Sequence, residues 1–395
     1  MTANLEPMVG RYLTLALEER DYRIYFEEAG SGIPLLCLHT AGAHSSQYRH
    51  LMCDPEVTNR YRVIAFDLPW HGKSNPPVGW EREEYRLTIG LVVMLVAGVV
   101  LPDWLLNILN ISFSRALAVL GLMVLWRTGL ISFGHAFYYG LGAYTVAILG
   151  KELGVSEILV TVPAAMLVAS TVGFFLGFII RRYRDIFFAM LSLAFSMVLY
   201  GILVKTEALG STDGFSVPTP SFLGFGAEEA ADNKIVLYFV LCGIGYGAAL
   251  LVHRYLQSTL GNLSTAIRDN EIRVEYLGYS VAHAIHVKYV MSAALAGLGG
   301  AILAISLSQV DPDSMVNWTI SGELVFVTIL SGPGSVAAPF IGSVVFELIR
   351  TYAFEWLPHA WQLIVGATLL AIIFFLPGGV WSLLARIFGR KEGER

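Results

Sequence analysis

Residues 67–74, Asp-Leu-Pro-Trp-His-Gly-Lys-Ser, end like a phosphate-binding loop, in which a lysine and a hydroxyl side chain follow a glycine. Such a loop holds phosphate with the backbone N–H groups of a flexible, glycine-rich turn. Here an aspartate stands where the first glycine belongs, and Pro69 and Trp70 stiffen the turn. We therefore reject phosphate binding and phosphoryl transfer by this segment.

The first 88 residues also carry part of a hydrolytic site. Residues 35–51 and 63–74 resemble two consecutive strands of an α/β-hydrolase, the first with its oxyanion-hole turn, on which His39 and Gly42 fall. These enzymes need a serine on a G-x-S-x-G turn and a positioned base that activates it. Because the chain contains no G-x-S-x-G, we interpret residues 1–88 as a truncated, catalytically dead α/β fragment with a vestigial oxyanion turn.

Four short strands are predicted in this fragment, since apolar and β-branched runs end there in polar turns. A sheet without its central strands has unpaired edges, so we expect the fragment to be unstable or proteolysed. The predicted strands are 11–17, 22–27, 34–39 and 62–67, with a helix at 45–51.

The composition of the whole chain is that of a membrane protein. Its 395 residues are 55% hydrophobic and only 14% charged, and the mean hydropathy is +0.61. Cys37, Cys53 and Cys242 are too scattered for a metal cage or a disulfide framework. The net charge of −5 offers no basic face to nucleic acid. Metal, redox and nucleic-acid chemistry are therefore not indicated.

Beyond residue 88, apolar runs dominate. A bilayer core of about 30 Å needs about 20 apolar residues per helix, and this length finds about ten candidate spans. We predict an all-α polytopic membrane protein over 89–385, interrupted by glycine-rich segments and followed by a basic tail at 386–395. The runs are 89–105, 114–132, 134–150, 157–180, 186–204, 235–252, 287–308, 321–332, 337–354 and 361–377.

Basic residues set the orientation, because they are costly to translocate in short loops. Loops 181–184, 253–288 and 386–395 hold most of the basic charge, whereas 209–232 and 309–320 contain no Lys or Arg. With an even number of spans, both termini are then cytoplasmic. Residues 1–10 also lack the pattern of a signal peptide.

Three segments resemble the branched-chain amino acid permease family of ABC importers, and with the spans between them they cover nearly everything after residue 89. Residues 128–149, TGLISFGHAFYYGLGAYTVAIL, are similar to the family's glycine-rich signature, and 266–278, AIRDNEIRVEYLG, to its cytoplasmic coupling segment. The third segment is 323–345, ELVFVTILSGPGSVAAPFIGSVV. Residues 209–218 also resemble a family loop, so the segments occur in the family's order.

The resemblance implies a non-catalytic permease subunit in the bacterial inner membrane. Its implied partners are a homologous permease, two ABC ATPase subunits that bind the ATP and Mg, and a periplasmic substrate-binding protein. This chain would bind no cofactor of its own. Branched-chain amino acids are the default cargo, although the family also imports urea, other amino acids and small carboxylates. A membrane-tethered hydrolase and a non-functional gene fusion are the alternatives.

Residues 266–278 are expected to form a short amphipathic helix, because Ala266, Ile267, Val274 and Leu277 recur at helical spacing between charged residues. The resemblance implies that this helix docks in a cleft of the ATPase. A solvated helix without a partner is the alternative. The residues assigned to ATPase coupling are Ala266, Ile267, Arg268, Asp269, Asn270, Glu271, Glu275, Leu277 and Gly278.

Two glycine-rich breaks, 128–142 and 331–339, are candidates for the translocation path, since unpaired backbone groups are tolerated at membrane depth only against protein or water. Helix ends there would aim N–H dipoles at a substrate carboxylate. Close packing through small residues is the alternative, and His135 is expected to be structural. The path candidates are Ser132, Gly134, His135, Gly140, Gly142, Glu323, Ser331, Gly332 and Gly334.

Three ionisable residues fall within or near the ends of predicted spans, namely Glu323, Glu347 and Arg350. Charge at that depth is costly, so we expect them to face the bundle interior or a partner subunit. A structural contact is favoured over a substrate contact, because a carboxylate repels an amino acid's carboxylate, although it attracts its ammonium group.

Overall fold

A computed structural model of the chain describes residues 9–17, 20–39, 44–68, 71–74, 82–222, 230–376 and 378–383. The chain divides into two compact units, Met1–Arg86 and Leu87–Arg395. Gly42 and the basic tail 386–395, which the sequence singles out, lie outside the described residues.

The first unit contains a four-stranded mixed sheet with the strand order β1-β2-β4-β3. β1 and β2 pair antiparallel, β2 and β4 pair antiparallel, and β3 runs parallel to β4. Each strand lies within two residues of its predicted bounds, whereas the helix predicted at 45–51 is divided into a 3-10 turn, Ser45–Tyr48, and a short helix. The elements are β1 Val9–Leu17, β2 Arg20–Ala29, β3 Ile33–Leu38, α1 Arg49–Met52, α2 Pro55–Thr58 and β4 Tyr61–Phe66.

The core of this unit is small, and its edge strand β3 is apolar. Ile33, Leu36 and Leu38 are 70%, 62% and 56% exposed. A strand that is apolar on both faces normally lies inside a sheet, with neighbours on either side. This exposure supports the expected instability of the fragment, which stays a prediction. The buried core residues are Ala29, Cys37, Met52, Val63 and Ala65.

Among the residues that the structure describes, the second unit is helical apart from two short paired strands, β5 Phe215–Ser216 and β6 Gln309–Val310, and an isolated bridge between Glu157 and Ser221. Every apolar run found in the sequence overlaps a helix. The helices are α3 Arg82–Val100, α4 Asp103–Trp126, α5 His135–Leu153, α6 Ile158–Ile180, α7 Asp185–Lys205, α8 Ala230–Gln257, α9 Thr259–Tyr276, α10 Val281–Leu307, α11 Pro312–Met315, α12 Trp318–Ser331, α13 Ala338–Trp356 and α14 Trp361–Phe375.

Six helical stretches of the described chain are long and apolar enough to cross a membrane, and two further apolar helices, Leu87–Val100 and Trp361–Phe375, are shorter. The two remaining predicted runs, 134–150 and 337–354, correspond to α5 and α13, of 19 residues each. A polytopic helical protein is thus confirmed, while the count of about ten spans stays a prediction. The six are Asp103–Trp126, Ile158–Ile180, Asp185–Lys205, Ile235–Gln257, Val281–Leu307 and Pro312–Ser331.

Helices α4 and α10 form the centre of this unit, and α10 also packs on α5 and α6. Small residues allow the close approach, because a glycine carries no Cβ to hold two helices apart. A Cβ on Gly121 of α4 would lie 2.8 Å from the carbonyl oxygen of Ser292 on α10. A Cβ on Gly299 would overlap the carbonyl oxygen of Ser114.

Contacts between the loops of this unit sort them into two groups. In the first, Arg184 after α6 forms an ion pair of 2.8 Å with Glu271 of α9, and Arg127 after α4 donates to the carbonyl oxygen of Pro333 after α12. In the second, Glu157 before α6 bridges to Ser221, and β5 pairs with β6. Successive connections along the chain therefore fall into different groups, as antiparallel neighbouring helices require.

Candidate functional site

The coupling segment 266–278 lies in the second half of α9 and ends in a glycine turn. Within α9 the backbone leaves the helical conformation at Asn270, where φ is −165° and ψ is 98°. The Oδ1 atom of Asn270 accepts a hydrogen bond of 3.0 Å from the N–H of Arg273, as an N-cap side chain does. The single helix expected here is therefore two helical pieces that meet at Asn270. Gly278, with φ of +87°, follows the second piece.

Only part of the predicted apolar face of this segment is buried. Ile267 and Val274 are buried, as expected, but Ala266 and Leu277 are exposed. Ile272, Tyr276 and Leu277 are 60%, 86% and 46% exposed, and we call these three residues the coupling surface.

The charged residues of the segment tie it to neighbouring loops. Besides the ion pair of Glu271 with Arg184, the side chain of Arg268 passes Gly129, where a Cβ would lie 3.1 Å from Cγ of Arg268. Arg268 also lies 3.3 Å from a carboxylate oxygen of Asp269. Movement of α9 would therefore press directly on the first glycine-rich break and on the loop before α7.

Serine hydroxyls accept the backbone donors of the first break. Ser192 accepts from the N–H of Phe133 at 3.1 Å, and Ser321 accepts from the N–H of Ala136 at 3.0 Å. Ser132 is buried and accepts from the N–H of Gly134 at 3.3 Å. Backbone N–H groups at the start of a helix have no carbonyl partner within the helix, so the serine hydroxyls serve as their acceptors. The arrangement favours the close-packing reading of this break.

The other candidates in the first break also lie at helix contacts. His135 is buried, and its Nε2 lies 2.5 Å from Oγ of Ser292 on α10. Gly140 faces the side chain of Val316, and Gly142 faces the backbone of Gly297. A role of these residues in a substrate path stays a prediction.

The second break is held by an arginine that sequence reasoning missed. Arg127 donates from Nε and Nη2 to the carbonyl oxygen of Pro333, at 3.0 and 2.5 Å. The only sequence signal was a lone arginine directly before the first break. Ser331 donates to the carbonyl oxygen of Val327 at 2.6 Å, and Gly332 adopts a φ of +84°. A Cβ on Gly334 would lie 2.8 Å from the Trp381 ring.

Four ionisable side chains meet in the second unit, and we call them the membrane charge cluster: Arg115, Glu323, Glu347 and Arg350. Arg115 of α4 donates to Glu347 of α13, and its Nη2 lies 3.3 Å from Glu323 of α12. Nη1 of Arg350 lies 3.9 Å from Glu323 and 3.8 Å from Glu347. The guanidinium of Arg115 also packs over the ring of Phe346, 5.2 Å from its centroid.

Sequence reasoning named three members of this cluster but missed Arg115. The signal was present, since Arg115 is one of two charged residues in the apolar run 114–132, and Arg127 is the other. The structure brings the predicted Glu323 together with Glu347 and Arg350, and Arg115 supplies the second positive charge. The cluster therefore contains two cations and two carboxylates.

In the first unit, His39 has a structural contact. It is buried, its Nε2 accepts from the N–H of Leu68 at 3.0 Å, and its ring packs on that of His71 at 4.9 Å. Asp67 accepts from the N–H groups of Ser45 and Lys73. Burial raises the pKa of Asp67, but these hydrogen bonds outweigh it and hold the pKa below its ordinary value.

The comparisons with known proteins agree with the sequence reading. The sequence model of the family described as branched-chain amino acid transport system / permease component matches residues 104–373, more than half of the chain. The high-affinity branched-chain amino acid transport system permease protein LivM of Escherichia coli is 27% identical, and the match covers 77% of each chain. Its counterpart from Salmonella typhimurium is 26% identical with the same coverage.

More distant relatives include a sugar permease. The ribose import permease protein RbsC of Escherichia coli is 24% identical over 69% of this chain and 85% of its own length. No solved structure matches the chain. These findings confirm a transport subunit rather than an enzyme, as a multi-pass protein of the bacterial inner membrane. The chain belongs to the family of permease components of branched-chain amino acid transport systems.

Proposed function

We propose that this chain is one permease subunit of an ABC importer for branched-chain amino acids or a related small polar solute. It pairs with a homologous permease, and substrate delivered by a periplasmic binding protein crosses between the two. Two ATPase subunits bind the ATP and Mg and drive the cycle. The family match and the LivM relatives support this assignment, while the similarity to RbsC keeps a sugar as the second cargo class.

The observation that carries the proposal is the coupling surface. Tyr276 and Ile272 are the most exposed apolar side chains of a helix whose other exposed side chains are mostly polar and which lies between the apolar helices α8 and α10. Large apolar side chains concentrated on a polar element mark a protein contact. An ATPase cleft that covers Ile272, Tyr276 and Leu277 could then move Arg268 against Gly129.

The contacts between loops support an orientation in which a chain of about ten spans has both termini in the cytoplasm. The basic loop 181–184 and the basic segment 253–288 belong to one group of loops, joined by the pair Arg184 and Glu271. The loops of the other group, around β5 and β6, contain no Lys or Arg over 209–222 and 309–317. The simplest arrangement that accounts for both groups of loops places the basic loops on the cytoplasmic side and the loops without Lys or Arg on the other side.

We infer that residues 1–88 contribute no catalysis, that 89–385 form the transport domain, and that 386–395 form a cytoplasmic tail. The hydrogen bond from Leu68 to His39 supports a structural role for this vestigial turn. A chain that begins at Arg86 should transport as well as the full chain. If only the full chain transports, residues 1–85 have a function; if neither does, the gene-fusion alternative is favoured.

The central test is uptake by the complete complex in proteoliposomes. The permease pair, both ATPases and the binding protein are reconstituted, and uptake of radioactive leucine and ribose is measured with and without ATP. We expect ATP-dependent leucine uptake that is lost in Ile272→Asp and Tyr276→Asp. The matched control, Thr265→Ala, changes an exposed residue of the same helix and should retain uptake.

Three outcomes would contradict the proposal or part of it. Absence of ATP-dependent leucine uptake, with ribose transported instead, would move the assignment to sugar import. Ester hydrolysis by the purified chain that disappears on replacing one serine would favour the tethered hydrolase. Labelling of a cysteine at position 268 from the outside of the cell would overturn the orientation.

A further inference from the structure

We propose that Arg350 and Glu323 form a binding subsite for the zwitterionic head group of an α-amino acid, at membrane depth. The guanidinium of Arg350 binds the substrate carboxylate, and the carboxylate of Glu323 binds the substrate ammonium. This inference rests on the proposed function and deepens it, because it names the residues that distinguish an amino acid from an uncharged sugar.

The cluster lies near the middle of the membrane. Arg115 is residue 13 of the 24 in α4. At about 1.5 Å per residue, each half of α4 spans more than half of a hydrocarbon core that is about 30 Å thick. Glu347 is hydrogen-bonded to Arg115 and so lies at the same depth. A substrate that crosses the bilayer has to pass this level.

The four charges are not equally paired. The side chains of Arg115 and Glu347 are only 7% and 9% exposed, and they are hydrogen-bonded to each other. Arg350 is 35% exposed, and its nearest carboxylate oxygens lie 3.8 and 3.9 Å away, beyond hydrogen-bond distance. Glu323 is 14% exposed. Arg115 and Glu347 therefore hold the cluster together, whereas Arg350 lies beyond hydrogen-bond distance of both carboxylates and Glu323 accepts from Arg115 through Oε2 at 3.3 Å.

The exposed side of the cluster needs a polar neighbour. Charged side chains inside a membrane face the bundle interior, a partner subunit or a water-filled path, because hydrocarbon does not solvate them. The Trp361 ring covers part of the Arg350 guanidinium, with its centroid at 5.5 Å. We expect the remaining exposed surface of Arg350 and Glu323 to face the partner permease, where the proposed path runs.

The charge balance fits a zwitterion better than other cargo. Two arginines and two glutamates make the cluster neutral, so a ligand with one positive and one negative group leaves it neutral when bound. Arginine offers a planar fork of donors that matches a carboxylate, and a glutamate pairs with an ammonium. Bringing the two groups of an amino acid between Glu323 and Arg350 would replace a long ion pair of 3.9 Å with two hydrogen-bonded ones.

The test is photocapture of leucine by the complete complex. Leucine with a diazirine in its side chain is offered during ATP-driven turnover, and captured peptides are mapped by mass spectrometry. We expect labels on α4, α12 and α13 near the cluster. Arg350→Gln and Glu323→Gln should each lower capture by about tenfold, since one charge-assisted hydrogen bond contributes on that scale. Glu152→Gln, an exposed carboxylate of α5, is the matched control.

The double variant Glu323→Gln/Arg350→Gln separates binding from a structural role. If the two residues only stabilise the protein by pairing, removing both charges restores the balance, and capture and uptake recover. If they bind substrate, the complex assembles with normal elution on gel filtration but capture stays low. Recovery in the double variant, or unchanged capture in both single variants, would overturn the proposal.

Competition with leucine analogues gives a second readout. In the wild-type complex, 4-methylpentanoate, which lacks the ammonium, and 3-methylbutylamine, which lacks the carboxylate, should each compete with photo-leucine far less than leucine does. In Arg350→Gln, leucine should lose its advantage over 3-methylbutylamine. If the complex takes up leucine with ATP but these differences in competition are absent, the subsite is contradicted and the proposed function is not. Absence of any leucine uptake contradicts the proposed function.

Discussion

Gly142 of α5 lies against the peptide backbone of Gly297 on α10, so closely that a Cβ at position 142 would overlap the carbonyl oxygen of Gly297. One turn away, a Cβ on Gly300 of α10 would overlap the carbonyl oxygen of Tyr139. The two helices therefore touch backbone to backbone at the C-terminal end of the first glycine-rich break. Movement at the start of α5 is transmitted to α10 without side chains that could yield.

Replacing Gly142 with leucine should abolish uptake. Overpacking a tight contact costs about 1–3 kcal/mol or more, and here the obstructing atom is backbone, which cannot change rotamer. Gly243 of α8 is the matched control, because a Cβ there meets nothing within 4 Å, so Gly243→Ala should retain uptake. Uptake and the melting temperature of the purified complex are measured for both. Normal uptake in Gly142→Leu would show that α5 and α10 do not need this contact.

Replacing Arg115 with glutamine should strongly destabilise the protein. Glu347 would lose its hydrogen-bonded partner and Glu323 its nearest cation, and removing one member of a buried ion pair costs about 3–5 kcal/mol. The double variant Arg115→Gln/Glu347→Gln should recover part of the loss. Thermal unfolding in detergent measures both. Equal melting temperatures for wild type and Arg115→Gln would mean that the cluster does not stabilise the fold.

Replacing Asn270 with alanine should weaken coupling to the ATPase. The side chain caps the second helical piece through the N–H of Arg273, and loss of such a cap costs about 1 kcal/mol. Asn270→Ser keeps a capping oxygen and is the matched control. We expect that transport per ATP hydrolysed falls in the alanine variant but not in the serine variant. A similar loss in both would show that the amide itself contacts the partner.

The first unit should respond to pH through Glu27. A hydrogen bond from Arg49 outweighs the effect of burial and holds the pKa of Glu27 below its ordinary value. The stabilisation is therefore complete above the ordinary pKa and is lost as the pH falls through the lower, folded-state pKa. Hydrogen exchange of β2 in the full chain should be faster in Glu27→Gln than in wild type at neutral pH.

That difference should shrink as the pH falls below the ordinary pKa of a glutamate and should vanish below the lower pKa of folded Glu27, where the wild-type carboxylate is protonated. Glu56→Gln is the control, because Glu56 is exposed on the short helix α2 and should change exchange little at any pH. A gap between wild type and Glu27→Gln that widens at low pH would mean that the pairing with Arg49 is not the source of the stability.

Local patterns in the sequence were sufficient for the elements of the fold. The four strands of the first unit are indicated by residue types that follow one another along the chain. Each strand lies within two residues of its predicted bounds. The apolar runs similarly predicted helices, because a helix in lipid satisfies its own backbone hydrogen bonds and needs only length and apolar side chains. The motif at 128–149 and the segment at 266–278 were sufficient for the family, which the comparisons confirm.

The sequence by itself determined the class of protein, its apolar helices and the segment proposed to face the ATPase. Only the tertiary structure decided which charges meet, since Arg115 is separated by 208 residues from Glu323 and by 232 from Glu347. It also decided that Arg127 donates to the carbonyl oxygen of Pro333 and that the side chain of Tyr276 is exposed. Helical spacing fixes neighbours along one helix, whereas these contacts depend on how separate helices pack and where one of them bends.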